Sequence, residues 1–285
     1  MKIILIITIH LITFSGFSQS SEVGLFLGCS YYLGDFNPKK HFNLCKPSGG
    51  IIHRYIFNSH FAIKNSFLYG TLYGDDSKTN NISQLKRNLH FKSSILDIST
   101  QLEFNFLPFE ESIREYSLSH ESKYLFSPYV FIGVSLFSFN PKAEVNDTWY
   151  ELQPMGTEGQ GTIAYSFKKK YSLTQLAIPI GCGIKFDISK KVNFAIEWGI
   201  RFSFTDYIDD VSTTYADPIL LRAERGQTAA LLSDRSLYDT ENSLSNVDRQ
   251  RGNSKDNDKY SFAGVMITYK LLNKYKEQKC PMKND

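Results

Sequence analysis

The chain has 285 residues, 32 Lys and Arg against 29 Asp and Glu, a net charge of +3, and 14% aromatic residues, with 22 Phe and 17 Tyr. So small a charge excess argues against a nucleic-acid binder. After the N-terminal apolar run, no stretch supplies the ~20 consecutive apolar residues a membrane helix needs, so any membrane span must be made of strands.

Lys2 precedes an apolar run over residues 3–12, followed by small residues around Gly16 and Ser18. A positive start, a short apolar core and a small-residue site read as a secretory signal peptide over residues 1–18, so the protein is exported. The mature chain then shows segments of strand character. The first, over 23–33, sets Val23, Leu25, Leu27, Cys29, Tyr31 and Leu33 on one face. The second covers about 50–57. The third, 61–73, sets Phe61, Ile63, Phe67 and Tyr69 against Ala62, Lys64 and Ser66. The fourth, 95–106, sets Leu96, Ile98, Leu102, Phe104 and Phe106 against Asp97, Ser99, Gln101, Glu103 and Asn105. The fifth covers 129–139.

The sixth, 172–186, sets Leu176, Ile178, Ile180, Ile184 and Phe186 against Gln175, Ala177, Gly181, Gly183 and Lys185. The seventh, 191–205, carries the longest alternation, with Val192, Phe194, Ile196, Trp198, Ile200, Phe202 and Phe204 on one face. Asn193, Ala195, Glu197, Gly199, Arg201 and Ser203 lie on the other. The eighth covers 260–271. Strands two, five and eight carry no clear face assignment. Side chains alternate across a strand. A sustained split between large apolar groups and charges is that of a strand with lipid outside and a polar lumen inside.

Connection lengths alternate in the same sense. Strands two and three join at Asn58-Ser59, and six and seven at Ser189-Lys190, both hairpin-sized. The connections 34–49, 74–94, 140–171 and 206–259 are long. Outer-membrane barrels have short periplasmic turns and long external loops. Residues 107–126 form a longer periplasmic connection, read either as a partner surface or as a hydrophilic turn. The expected fold is an all-β, antiparallel transmembrane β-barrel of eight strands over residues 19–273, with a periplasmic basic tail over 274–285 and both termini periplasmic.

A barrel of eight strands is filled by side chains. The inward set includes Lys64, Asp97, Glu103, Lys185, Glu197 and Arg201, and its mixed signs predict a paired, hydrogen-bonded lumen network. Such a network stabilises the barrel rather than serving transport, and a filled barrel is not a protein-conducting channel. Cys29, Cys45, Cys182 and Cys280 lack metal-ligand spacing. In this topology Cys45 and Cys280 lie on opposite sides of the membrane. Unpaired cysteines are expected, with a Cys29–Cys182 pair left open. The basic run Lys168, Lys169, Lys170 reads as a solvated loop. Asp and Asn in the last loop could ligate calcium; Asx turns account for the same residues and are preferred. His41, His53, His60, His90 and His120 are scattered, no G-x-S-x-G is present, and no spacing selects a catalytic triad. No enzyme activity, cofactor or small-molecule substrate is expected.

Gly28-Cys29-Ser30-Tyr31-Tyr32-Leu33-Gly34-Asp35-Phe36-Asn37-Pro38 resembles the start of PorG-like proteins of the Bacteroidetes type IX secretion system. So do stretches 101–106, 152–161, 205–215, which contains Asp206, Tyr207, Asp209 and Asp210, and 251–258. They follow the family's order over residues 22–271. The resemblance implies an outer-membrane component that ties a periplasmic lipoprotein ring and its associated secretion proteins to the membrane. It further implies a role in protein secretion and, in relatives that glide, in gliding motility. It carries over no catalytic residues. By topology, the ring contacts are expected at 107–126, at the two short turns and in the tail with Lys274, Lys276, Lys279 and Lys283. The alternative is a free-standing small barrel acting as an adhesin or envelope stabiliser. A lipid-modifying enzyme is the third, weaker class.

Overall fold

A strand that is apolar on one face and polar on the other can bury both demands in a bilayer only if the sheet closes on itself, because an open edge would leave unpaired N–H and C=O groups in lipid. In the computed structural model, which describes residues 20–108, 126–189, 191–237 and 245–271, the sheet closes in this way. The strands are β1 (Ser20–Leu33), β2 (Lys46–Ile56), β3 (Phe61–Asp75), β4 (His90–Asn105), β5 (Phe126–Val145), β6 (Thr148–Glu151), β7 (Thr174–Asp187), β8 (Val192–Ser203) and β9 (Lys259–Leu271). Eight of them run in the order β4-β3-β2-β1-β9-β8-β7-β5, and pairing of β4 with β5 closes the ring. All pairs are antiparallel.

The ninth strand, β6, pairs only with β5. It folds back through Asn146 and Asp147, whose φ angles of 51° and 61° are the left-handed geometry of a two-residue hairpin. Strand β5 therefore runs past residue 139 to Val145, and β4 begins at His90 rather than 95. The added inward residues Phe91 and Ala143, with Phe139 beside them, are buried under the long loops. Alternation continues there with its sense reversed, apolar or small residues inward and Lys92, Asn140, Lys142 and Glu144 outward, so the lipid-wall pattern did not mark these strand ends.

Register resolves the three ambiguous strands. Inward positions are Ile52, Arg54 and Ile56 on β2, Tyr129, Phe131, Phe137 and Phe139 on β5, and Tyr260, Phe262, Met266 and Thr268 on β9. Their neighbours Ile51, Val130, Ile132, Val134, Val265 and Ile267 are exposed and form part of an apolar belt around the wall. Gly181 and Gly183 sit opposite Phe131 and Tyr129 in register. A Cβ at Gly181 would lie 2.4 Å from the Phe131 ring, and one at Gly183 2.6 Å from the Tyr129 ring. These glycines make room for lumen aromatics.

The signal-peptide and tail segments, 1–18 and 274–285, and most of 107–126 lie outside the described residues. Ile196 is 51% exposed and in register with Ile184 and Val265. Ile196→Arg is expected to lower stability by ~2–4 kcal/mol if Ile196 sits at the bilayer midplane. Equilibrium unfolding of the variant in phospholipid vesicles measures this, and unchanged stability would remove Ile196 from the lipid face.

Candidate functional site

Lys64, Asp97, Glu103, Lys185, Glu197 and Arg201 are all buried inside the barrel, in two separate groups. The first is centred on Glu103. Arg54 Nε reaches its Oε2 at 2.8 Å, Lys185 Nζ the same oxygen at 2.6 Å, and Lys64 Nζ its Oε1 at 3.5 Å. Lys64 also pairs with Glu197, which accepts a hydrogen bond from Tyr129 Oη at 2.6 Å. Arg54 turns its other edge to Glu22, Nη1 to Oε2 at 2.6 Å, and Glu22 accepts further bonds from Asn193 and Thr268. Three cations thus meet three carboxylates. Glu22, Arg54 and Tyr129 were not among the residues expected here. Arg54 and Tyr129 lie on strands whose faces could not be assigned, and Glu22 precedes the start expected for its strand. In the second group, Arg201 Nε lies 3.8 Å from Asp97 Oδ2, which accepts from Tyr260 Oη and Ser135 Oγ at 2.7 Å each.

The long loops fold together over one mouth of the barrel. Glu158, fully buried, accepts the backbone N–H of Ser212 at 2.9 Å, the Thr213 hydroxyl at 2.6 Å and Arg251 Nη1 at 3.2 Å. Arg251 Nη1 also donates to the Asp210 carbonyl at 2.5 Å, while the Asp210 carboxylate accepts from Tyr171 Oη at 2.6 Å and from Thr157. Arg87 joins the loop after β3 to this knot: it pairs with Asp76 and donates to the carbonyls of Asp35 and Arg251. The Tyr207 ring stacks on Tyr171 at 4.7 Å, and Tyr171 stacks on Phe139. Ile208, Val211 and Leu232 share one apolar cluster with Phe137, Tyr260 and Phe262 of the lumen. The loops therefore form a packed cap continuous with the barrel interior.

Carboxyl groups in the cap hold their protons unusually well. Tyr32 Oη lies 2.5 Å from both Asp209 Oδ2 and Asp258 Oδ1. One hydroxyl proton cannot satisfy two carboxylates, so the trio closes when one carboxyl is protonated. Burial and neighbouring carboxylates (Asp258 and Asp35 for Asp209, Asp206 and Asp35 for Asp258) hold both aspartates well above the usual carboxylate range. Asp206 is pushed up to about 8 by burial and by the charges of Asp35 and Glu158. Burial raises Asp210 to about 6 against the pull of Arg251. Among the described residues, no group of three His, Cys, Asp or Glu side chains is placed to hold a metal ion. Asp209 Oδ1 instead accepts the Val211 N–H at 2.8 Å, an Asx turn.

Two expectations are corrected. Cys29 and Cys45 form a disulfide, with Cα atoms 5.7 Å apart; Cys182 is free and exposed. Cys29 sits near the loop end of β1, opposite Pro47, so the first loop returns its last residue to the same place. Cys280 lies outside the described residues. Lys168 is half-buried rather than solvated, and its Nζ donates to the Glu158 carbonyl at 3.0 Å and to Thr213 Oγ1 at 3.3 Å. Lys169 and Lys170 are exposed. The described histidines are dispersed: His41 lies against Tyr31, His60 against the Asn105 carbonyl, and His90 accepts the Glu144 N–H.

A closed ring of eight strands, apolar outside and charged within, defines an outer-membrane β-barrel. The chain belongs to the family described as a domain of unknown function, DUF6089, whose model matches residues 1–221. No curated protein matches its sequence. Solved structures similar to it include Ail, the attachment invasion locus protein of Yersinia pestis, in complex with the heparin analogue sucrose octasulfate (8% identity, 90% of this chain and 100% of that one, TM-score 0.39). Others are Neisserial surface protein A (7%, 90% and 98%, 0.40) and OprG from Pseudomonas aeruginosa (10%, 90% and 98%, 0.37).

Two outcomes are expected from this site. Glu103→Ala strands Arg54, Lys64 and Lys185 without their shared carboxylate and should cost about 3–5 kcal/mol, read by denaturant unfolding of the detergent-folded barrel. Folded Asp206 keeps its proton to about pH 8, whereas an ordinary Asp releases it near 3.8. The folded state binds more protons between those values, so the cap loses stability as pH rises through that window. Amide hydrogen exchange of residues 206–215, corrected for intrinsic rates, should show progressive opening toward pH 8, and Asp206→Asn should weaken that dependence.

Proposed function

We propose that this protein is a non-enzymatic, non-conducting outer-membrane scaffold, and that it serves as the PorG-like component anchoring a periplasmic lipoprotein ring of a type IX secretion machine. The observation that carries this reading is a convergence in space. Tyr32 and the half-buried Asp35, Glu158, Asp209 and Asp210, and Arg251 and Asp258 come from four of the stretches that resemble the PorG-like family, and they build one cap. Strand alternation alone would resemble many barrels. A shared cap is more specific, because its residues are far apart in sequence and meet only in this loop arrangement.

In this reading the cap end is external and the short turns face the periplasm. The lumen, filled by neutralising ion pairs and aromatics, supports anchoring rather than conduction. Ring contacts fall to the connection 107–126, the turn at Asn58-Ser59, the turn at Ser189-Lys190 and the Lys-bearing tail. The adhesin or envelope-stabiliser alternative draws on one surface feature: Ile163, Phe167 and Ile219 are 87%, 76% and 74% exposed on the loops.

Crosslinking in cells, gentle extraction and mass spectrometry test the choice. Crosslinks from 107–126 or the tail to a periplasmic lipoprotein are expected, and deletion after Leu271 should weaken that attachment while leaving membrane insertion intact. A folded barrel recovered alone, from cells whose secretion does not need it, would shift the assignment to the free-standing barrel.

A further inference from the structure

The first long loop does not stay above the barrel. Tyr31 has the outward parity of Leu25 and Leu27, yet it is fully buried. Trp198, outward on β8, donates its indole N–H to Tyr31 Oη at 2.7 Å. His41 packs edge-on against Trp198 at 5.7 Å, and Phe42 lies 5.2 Å from the Tyr31 ring. The Cys29–Cys45 disulfide ties this loop down against the outer wall.

Two clefts meet at its tip. The upper one, of about 1340 Å³, runs from the loops down to Ile200 and Phe202 on the outer face of β8. Lys39, Lys86, Arg249 and Lys259 line it, and among the described residues none of these four is held in an ion pair. The carboxylates in its lining, Asp35 and Asp256, both accept hydrogen bonds from Asn253. Gln250 and Asn257 add amide donors and acceptors, while the Gln84 amide is held between Thr79 and the Asp35 carbonyl and the Asn81 carbonyl accepts the Ser83 N–H. Lys259 lies over the Phe202 ring at 5.7 Å, at the step from charged to apolar wall. The lower cleft, of about 700 Å³, continues down the same face of β8 past Trp198 and Ile196. Small residues set into the belt, Cys182 and Ala263, make this wall concave.

We propose that this amphipathic groove binds a phosphorylated glycolipid of the outer leaflet. Its phosphates meet Lys39 and Lys259, its sugar hydroxyls meet the amide-lined cleft, and an acyl chain lies in the dent beside Trp198. Charge complementarity selects an anion. The apolar dent directly below selects an anion that carries a hydrocarbon chain rather than free phosphate. The inference rests on the cap end being external, and does not depend on a ring partner.

The test is native mass spectrometry of the full mature chain in detergent micelles, offered bis-phosphorylated lipid A, its dephosphorylated form and phosphatidylethanolamine at equal concentration. Selective retention of the bis-phosphorylated lipid is expected, undiminished by millimolar inorganic phosphate, with about tenfold less retention in Lys39→Glu/Lys259→Glu. Ala263→Trp, which fills the dent, should also lower retention while protease resistance of the cap is unchanged. Should the double variant fail to fold, Lys39→Glu alone, in an exposed loop, provides the same reading. Equal retention of the three lipids, displacement by inorganic phosphate, or full retention in folded variants would overturn the proposal. Absence of ring crosslinks with lipid selectivity intact would overturn only the anchor reading.

Discussion

Charge placed inside an eight-stranded barrel has little water to solvate it, so the lumen must neutralise itself. Glu103 is where that requirement is concentrated: it stands on β4 and holds cations from β2, β3 and β7. Arg54 and Lys64 pass the pairing on to Glu22 on β1 and Glu197 on β8. A slip of one residue in any of these strands would turn a charged side chain toward lipid. The network therefore holds register as well as filling space, and a barrel filled this way is suited to holding a position in the membrane.

The cap extends the same logic into water. Its loops are long and polar, yet they bury Glu158, Asp209, Asp210 and Arg251. Each of these groups is satisfied by a partner from elsewhere in the chain, so the loops order one another. Apolar residues from the last loop, Ile208 and Val211, then seat the cap on lumen aromatics. The contact of Tyr32 with both Asp209 and Asp258 calls for a retained proton in the cap, whereas the ion pairs within the barrel are balanced in charge.

The outer wall is not a uniform apolar belt. The disulfide-tied first loop brings His41 and Phe42 onto Tyr31 and Trp198. Aromatic side chains with one polar end suit the boundary between headgroups and hydrocarbon, and here they divide a basic, amide-lined cleft from an apolar one. A loop that would otherwise serve the cap thereby also shapes the barrel's contact with its solvent lipid.

Strand faces were legible wherever alternation ran unbroken, because period two admits one assignment. The stretch from Val192 to Ser203 and the inward set Lys64, Asp97, Glu103, Lys185, Glu197 and Arg201 could be read from spacing alone. Strands β2, β5 and β9 could not, since aromatics and aliphatics serve both a filled lumen and a lipid belt; Arg54 and Tyr129 were missed for that reason. The Cys29–Cys45 bond and the burial of Lys168 depend on where loops turn back, which local pattern does not encode. By itself the sequence determined the class of fold and the sign of each wall, through solvation of alternate side chains. Tertiary structure alone decided which charges meet, how the loops close and where the outer wall is hollow, because these follow from contacts between residues tens to hundreds of positions apart.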